Sequence, residues 1–170
     1  RQELGAKTIF NLLGPLLNPA NPDIQIIGTS NESDMQLIIE AAKILDKKKM
    51  LVLSGNDGLD ELTLTGKTQI MELKDNKIKS YSLRPEDFGF AKIEFEKIAG
   101  GDPEFNLNIA RDILANKSNT EHLNLVLANA ALVLKFLNKA ESYEHGVSIA
   151  RDAIAQKKAQ EVFENYKKLV

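Results

Sequence analysis

Apolar residues in the first half of the chain alternate between short runs and a helical repeat. The run IQIIGT, residues 24–29, predicts a strand, and a helical repeat then runs to about Asp46 behind a capping box at residues 33–36. The run MLVL, residues 50–53, is apolar without alternation, which is typical of a strand buried on both faces. Strand, helix and strand in this order predict a parallel crossover unit.

Turn-forming residues interrupt this pattern in two places. A short helix is predicted from Thr8 into Gly14 and Pro15, and the prolines that follow favour a loop. Further on, KTQIMELKDNKIKSYSL contains two alternating runs on either side of Asp75 and Asn76. This pattern predicts an antiparallel hairpin attached to the sheet.

The last third of the chain is predicted to be helical. Residues 102–103 supply an N-cap followed by proline at the first helical position, and residues 118–121 read as a second capping box. Residues 122–137 are apolar almost all round, which indicates a buried helix, and Ser142 is expected to cap a helix that runs through Ile154. The expected fold class is therefore α/β, with a mostly parallel sheet, flanking helices and the attached hairpin.

Composition narrows the function classes. The chain has 170 residues, 43% of them hydrophobic and 27% charged, which suits one domain with its own core. The 22 basic and 24 acidic residues nearly cancel, and no basic block is present, so neither nucleic acid nor a membrane surface is an expected partner. The absence of cysteine excludes disulfides, thiolate zinc sites and Cys nucleophiles, and it fits the cytoplasm.

The segment SGNDGLDE, residues 54–61, carries the strongest chemical signal. It leaves the carboxyl end of the predicted strand at residues 50–53, which is where open parallel sheets bind ligands. Asp60 and Glu61 offer the hard oxygen ligands that suit Mg²⁺. The alternative is a solvated turn, with Asp57 and Gly58 as turn residues and the two carboxylates as surface charge. The residues alone leave both interpretations open.

Other polar residues give weaker signals. His122 and His145 lie on different predicted helices and lack metal-ligand spacing. The loop at residues 28–33 lacks the glycine spacing of a phosphate-binding loop, so helix capping explains it. Asn129 is expected to be a buried polar residue with a backbone partner. No Ser/His/Asp nucleophile arrangement is visible.

Several blocks together resemble a known family. RQELGAKTIFNLLGPLLNPA is followed by GNDGLDEL, LRPEDFGF, GGDPEFN and LANAALVL. Their order and spacing resemble the carboxyl-terminal half of the anthranilate phosphoribosyltransferase family, over nearly the whole chain. The resemblance implies transfer of a phosphoribosyl group from phosphoribosyl pyrophosphate to anthranilate, with release of pyrophosphate, in tryptophan biosynthesis. It also implies an α/β catalytic domain of the nucleoside phosphorylase and phosphoribosyltransferase type.

The resemblance assigns roles to particular residues. It places Asp60 and Glu61 on Mg²⁺ at the pyrophosphate. It places Arg1 beside the anthranilate carboxylate, and it places Gly14 and Pro15 along the anthranilate channel. No residue is assigned as an acid, a base or a nucleophile, so the protein is expected mainly to clamp and align its substrates.

The resemblance also implies that much of the parent protein lies outside these residues. Residues 1–170 are expected to be a single α/β domain fragment without the upstream helical domain and glycine-rich donor loop, inactive alone, from a cytoplasmic homodimer. Two alternatives remain. A pyrimidine nucleoside phosphorylase-like enzyme is disfavoured by DGLDE and by Arg1, and a non-catalytic nucleic-acid-binding relative is disfavoured by the net charge of −2.

Overall fold

The structure is a computed structural model that describes residues 14–118 and 120–169. Its described residues belong to two units. The first comprises residues 14–62 and 67–83, and the second comprises residues 63–66, 84–118 and 120–169. That the chain is a single-domain fragment stays a prediction.

The first unit is a four-stranded sheet with one helix packed on it. Its elements are β1 (Ile24–Gly28), α1 (Glu32–Ile44), β2 (Lys49–Gly55), β3 (Thr68–Lys74) and β4 (Lys77–Leu83). The strand order is β1-β2-β3-β4, with β1 and β2 parallel and the other two neighbouring pairs antiparallel. Three of the four strands therefore point the same way. The predicted α/β class, parallel crossover and attached hairpin are confirmed.

The core of the first unit lies between α1 and one face of the sheet. Apolar residues of α1 pack there against side chains of β1, β2 and β3; the fully buried ones include Met35, Ile39, Met50, Val52 and Leu73. Successive side chains of a strand point to opposite faces, yet all four residues at 50–53 are at most 3% exposed. Strand β2 is therefore buried on both faces, as its unbroken apolar run predicts.

A two-residue turn joins β3 to β4. Asp75 and Asn76 both adopt left-handed backbone conformations, with φ of 50° and 59°. Such a turn matches the twist of the two strands, and Asp and Asn tolerate this conformation better than most residues. Lys74 pairs with Lys77 directly beside the turn, so the antiparallel hairpin predicted around Asp75 and Asn76 is confirmed.

Helix α1 begins earlier than its sequence predicts. Its N-cap is Asn31, whose side chain accepts a hydrogen bond from the backbone N–H of Asp34 at 2.9 Å. Ser33 lies inside the helix and donates its hydroxyl to Asn31 Oδ1 at 2.6 Å. The predicted capping box at residues 33–36 is therefore wrong, because the Asn31 amide reaches the free N–H groups first. The helix ends at Ile44, two residues before the predicted end.

The second unit is helical. Two short 3₁₀ helices, Pro85–Phe88 and Phe95–Lys97, precede α2 (Pro103–Leu114), α3 (Glu121–Phe136), α4 (Tyr143–Ala155) and α5 (Lys158–Lys167). Helix α3 packs on α4, and α4 packs on α5. Seven residues of α3 are buried while Val126 is 44% exposed, so the prediction of a largely buried helix is confirmed for most of its surface.

Three helix starts were predicted in this unit, and two are confirmed. Asp102 caps α2 by accepting from Phe105 N–H at 2.8 Å, and Ser142 caps α4 by accepting from His145 N–H at 3.1 Å. The third prediction is wrong, because α3 starts at Glu121 after Thr120, whose side chain makes no capping hydrogen bond. The Thr120 hydroxyl is instead 2.8 Å from the Ser118 hydroxyl.

At the described beginning of the chain, residues 14–16 are helical, which agrees with the predicted helix up to Gly14 and Pro15. Its earlier part, from Thr8, lies outside the described residues. None of the helices within residues 14–118 and 120–169 has the length and apolar character needed to cross a membrane.

Shortening one buried side chain on α3 should destabilise the second unit strongly. Leu127 is 0% exposed, and Leu127→Ala removes its apolar contacts and leaves a cavity. We expect a loss of about 2–5 kcal/mol in the free energy of unfolding. Urea denaturation followed by circular dichroism measures this loss.

The neighbouring residue provides the control. Val126→Ala changes a 44% exposed side chain on the same helix and should shift the free energy of unfolding by less than about 0.5 kcal/mol. Equal losses in the two variants would contradict the described packing of α3.

Candidate functional site

The acidic segment predicted as a ligand site is a tight loop that leaves β2. The N–H of Gly55 donates to Leu59 O at 2.9 Å, and the N–H of Gly58 donates to Gly55 O at 3.1 Å. Gly58 has φ of 85°, a conformation that glycine adopts without steric cost. The loop therefore folds back on the last residue of β2 and presents Asp60 and Glu61 beyond the strand end.

Two further hydrogen bonds fix the loop. The N–H of Asn56 donates to Lys67 O at 2.9 Å, which joins the start of the loop to the residue before β3. The Asp57 carboxylate accepts from the N–H of Leu59 at 3.1 Å. The interpretation of Asp57 and Gly58 as turn residues is thus confirmed, and it does not exclude a ligand role for the next two carboxylates.

The end of β1 lies directly against this loop. A Cβ atom placed on Gly28 would lie 1.6 Å from the carbonyl oxygen of Asp60 and 2.5 Å from its carbonyl carbon. No side chain fits there. One residue later, Thr29 N–H donates to Leu53 O at 2.9 Å and continues the pairing of β1 with β2. The carboxyl ends of the two parallel strands therefore meet at the backbone of Asp60.

The electrostatics of the loop favour a cation. Asp60 is exposed and Glu61 is half-buried. Burial raises the pKa of the Glu61 carboxyl, and the nearby charges of Asp60 and Asp57 raise it further. A divalent cation on these oxygens would relieve the repulsion, and carboxylates are the ligands that Mg²⁺ prefers. The donor chemistry of Asp60 and Glu61 therefore fits Mg²⁺.

No group of three or more acidic or histidine side chains within the described ranges is arranged to hold a metal by itself. Mg²⁺ usually keeps several waters and takes only one or two carboxylates together with substrate phosphates. A pair of carboxylates is therefore the number of ligands that a protein usually contributes to such a site.

The other predicted site residues lie elsewhere in the first unit or outside the described ranges. Gly14 and Pro15 are exposed at the end of the helical residues 14–16. The carbonyl of Pro15 accepts a hydrogen bond from Gln25 Nε2 at 2.6 Å, which ties this segment to β1. Arg1 lies outside the described residues.

The remaining polar candidates have structural surroundings. His122 is on α3 with Nε2 3.4 Å from Ala99 O, and His145 is on α4 with Nδ1 accepting from Glu141 N–H at 3.3 Å. Asn129 donates Nδ2 to Leu125 O at 3.0 Å, so the predicted backbone partner is confirmed. Gly28 is the residue that the sequence did not reveal, because its contact with Asp60 depends on the folded position of the loop.

The chain is similar to a known enzyme family and to its curated members. The profile described as glycosyl transferase family, a/b domain, matches residues 1–160. Anthranilate phosphoribosyltransferase of Persephonella marina is 36% identical over 164 residues, which cover 96% of this chain and 48% of that protein.

Solved structures of the Saccharomyces cerevisiae anthranilate phosphoribosyltransferase are also similar. The complex with 4-fluoroanthranilate has a TM-score of 0.87 and 27% identity, covering 96% of this chain and 48% of that one. The complex with PRPP and Mg has a TM-score of 0.84 and 26% identity, covering 96% of this chain and 47% of that one. The chain spans about half the length of the relatives it matches.

Neutralising Glu61 should stabilise the metal-free chain at neutral pH. A carboxyl whose pKa is raised by folding binds its proton more tightly in the folded than in the unfolded state, so stability falls as pH rises from the ordinary glutamate pKa through the raised one. Glu61→Gln removes this penalty. With a chelator present, we expect a higher Tm than for the unmodified chain at pH 7, and a difference that shrinks below pH 4.5.

The control removes one negative charge from a different loop. Asp75→Asn changes an exposed turn residue whose left-handed conformation asparagine tolerates. A similar gain at pH 7 in Asp75→Asn would mean that net charge explains the effect. No gain in Glu61→Gln would contradict the described surroundings of Glu61.

Proposed function

Because the chain belongs to the glycosyl transferase family, we propose that its parent protein is an anthranilate phosphoribosyltransferase. The reaction would transfer the phosphoribosyl group of phosphoribosyl pyrophosphate to the amine of anthranilate and release pyrophosphate. The relatives reported above support this proposal, since they carry that name and align with nearly the whole chain. The parent's activity is proposed rather than this chain's, because the chain spans about half of each relative.

The acidic loop is the observation that carries the proposal. Asp60 and Glu61 lie where the carboxyl ends of β1 and β2 meet, and the pKa of Glu61 is raised by burial and by neighbouring carboxylates. We assign this pair to Mg²⁺. A similar enzyme has been solved with PRPP and Mg, which supports the same ion here.

The chain's own residues would position the reactants rather than transfer protons. The bond between the anomeric carbon and the pyrophosphate oxygen breaks, a bond from that carbon to the anthranilate nitrogen forms, and the nitrogen then releases one proton to solvent. Bound Mg²⁺ supplies charge neutralisation for the departing pyrophosphate. Asp60 and Glu61 would hold the ion, and the backbone of the loop keeps both carboxylates at the strand ends. Alignment of the amine with the reacting carbon lowers the barrier further.

The acceptor side of the site is proposed from the first segment. Arg1 would meet the anthranilate carboxylate through its guanidinium, which forms paired hydrogen bonds with such groups. Gly14 and Pro15 would line the anthranilate channel. Their exposure and the hydrogen bond from Gln25 to Pro15 O leave this segment accessible and tied to β1.

We propose that the parent protein contains parts of the site that residues 1–170 do not include. We propose that a helical domain and a glycine-rich donor loop precede Arg1, that the parent is a cytoplasmic homodimer, and that residues 1–170 form a single α/β fragment without activity of its own. Each of these statements extends the family resemblance beyond the present chain.

Removing both proposed metal ligands should abolish most of the activity. In the intact parent, Asp60→Asn combined with Glu61→Gln is expected to lower the turnover number about 100-fold or more, because metal stabilisation of the leaving group contributes several kcal/mol. Loss of anthranilate fluorescence on addition of phosphoribosyl pyrophosphate and Mg²⁺ measures the rate. Raising Mg²⁺ should restore part of it.

Two controls accompany this measurement. Asp75→Asn in the parent should leave turnover unchanged, and residues 1–170 alone should show none. Full turnover in the double variant would make the loop a structural turn. An inactive unmodified parent that cleaves thymidine or uridine with phosphate would instead support a nucleoside phosphorylase.

The proposed acceptor role of Arg1 has its own signature. Arg1→Ala should raise the KM for anthranilate about 10-fold or more, since hydrogen bonds between charged groups contribute about 1.5–3 kcal/mol. The KM for phosphoribosyl pyrophosphate should change little. Arg1→Lys keeps the positive charge but cannot form the paired hydrogen bonds of arginine. Its KM for anthranilate should therefore lie between the values of the unmodified parent and Arg1→Ala. Equal increases in both KM values would contradict the assignment.

A further inference from the structure

Gly28 contacts the one loop that carries the proposed metal ligands. Its missing side chain leaves room for the Asp60 carbonyl, because a Cβ on residue 28 would lie 1.6 Å from that oxygen and 3.2 Å from the Asp60 Cα. Backbone atoms cannot yield to such an overlap by changing rotamer. Any larger residue at position 28 must therefore displace the Asp60 backbone or the end of β1.

The end of β1 cannot move easily. Thr29 N–H donates to Leu53 O at 2.9 Å, and Thr29 Oγ1 donates to Asn31 O at 3.0 Å. Ile27, the residue before Gly28, is 7% exposed and packs in the core under α1. Strand β1 also pairs with β2 along all five of its residues. The loop is therefore the part that a Cβ at position 28 would displace.

Asp60 and Glu61 lie just outside the hydrogen-bonded turn of the loop. Its hydrogen bonds from Gly55 to Leu59 and from Gly58 to Gly55 close it locally, ahead of Asp60. Asp60 and Glu61 come after this closed turn, and Asp60 is exposed. The hydrogen bonds of the turn join Gly55, Gly58 and Leu59, whereas Gly28 contacts the backbone of Asp60, so a shift of Asp60 leaves the pairing of the sheet intact.

From this geometry we infer that Gly28 is a positioning residue for the metal site, because its missing side chain sets where Asp60 and Glu61 lie relative to the strand ends. The inference rests on the proposed metal role of the two carboxylates. A residue at this position with a Cβ weakens the binding of a divalent cation without removing either ligand. Small shifts of metal-ligating carboxylates lower metal affinity. Mutations of the residues that orient such ligands typically reduce it by about 10–100-fold.

The experiment measures cation binding rather than catalysis. Mn²⁺ alone is titrated into the chain, and free Mn²⁺ is followed by electron paramagnetic resonance. Gly28→Ala is expected to bind at least about 10-fold more weakly than the unmodified chain. Circular dichroism and Tm establish in the same samples that the variant is folded.

A matched variant separates displacement of the loop from general loss of stability. Ile27→Val removes one methyl group from the adjacent core residue of β1 and is expected to lower the Tm. It leaves the contact with Asp60 unchanged and should bind Mn²⁺ normally. Equal weakening in Ile27→Val and Gly28→Ala would overturn the inference, since strand stability would then explain both.

A second measurement needs no variant and stands even if Gly28→Ala fails to fold. Hydrogen exchange of the unmodified chain with and without Mg²⁺ reports which amides the cation protects. We expect slower exchange both at residues 59–61 and at residues 28–29, because the two segments are in contact. Protection restricted to the loop would overturn the inference.

The outcomes also distinguish this inference from the proposed function. Mn²⁺ binding that is lost in the Asp60→Asn and Glu61→Gln double variant but unchanged in a folded Gly28→Ala variant overturns the role of Gly28 and leaves the metal assignment intact. Mn²⁺ binding that is unaffected by the double variant overturns both.

Discussion

The parallel pairing of β1 with β2 is the constraint on which the candidate site depends. Side-by-side pairing from Ile24 with Lys49 to Gly28 with Leu53 brings the carboxyl ends of both strands to the same edge. The chain leaves β2 into the acidic loop at that edge, and the loop returns across the end of β1. Met50 and Val52 of β2 pack in the core cluster with α1, and a slip by one residue would place Leu51 and Leu53 there instead. The position of Asp60 and Glu61 therefore follows from the core.

The acidic loop places carboxylates of like charge close together. Asp57, Asp60 and Glu61 lie near enough for their charges to raise the pKa of Glu61, and the half-burial of Glu61 adds to the cost of its charge. A structural turn needs Asp57 alone, since its carboxylate accepts from Leu59 N–H. The hydrogen bonds described for the turn do not use the next two carboxylates. Burial of Glu61 beside Asp57 and Asp60 opposes its charge, and a bound cation would relieve this repulsion, which is the physical basis of the proposed metal role.

Patterns that are local in sequence were predicted well, and contacts between distant segments were not. The unbroken run at residues 50–53 and the turn at Asp75 and Asn76 each determine their own structure, since burial and left-handed conformations are properties of those residues. The predicted cap of α1 at Ser33 is wrong because Asn31 accepts from Asp34 N–H and starts the helix earlier, which leaves Ser33 inside it. The acidic pair was visible in the sequence. The need for glycine at position 28 was not, because nothing local distinguishes it from an ordinary glycine at a strand end.

Cation binding by the acidic loop can be separated from phosphoribosyl transfer by the whole parent protein. The residues whose backbone contacts hold the acidic loop all belong to the first unit, namely Gly28, Gly55, Leu59 and Lys67. The proposed cation binding by this loop therefore depends on contacts present in the chain itself. The proposed phosphoribosyl transfer would depend in addition on the donor loop proposed to precede Arg1. A chain that binds the cation and transfers nothing is thus what the proposed function implies for these residues alone, and its lack of turnover would leave the assignment of Asp60 and Glu61 intact.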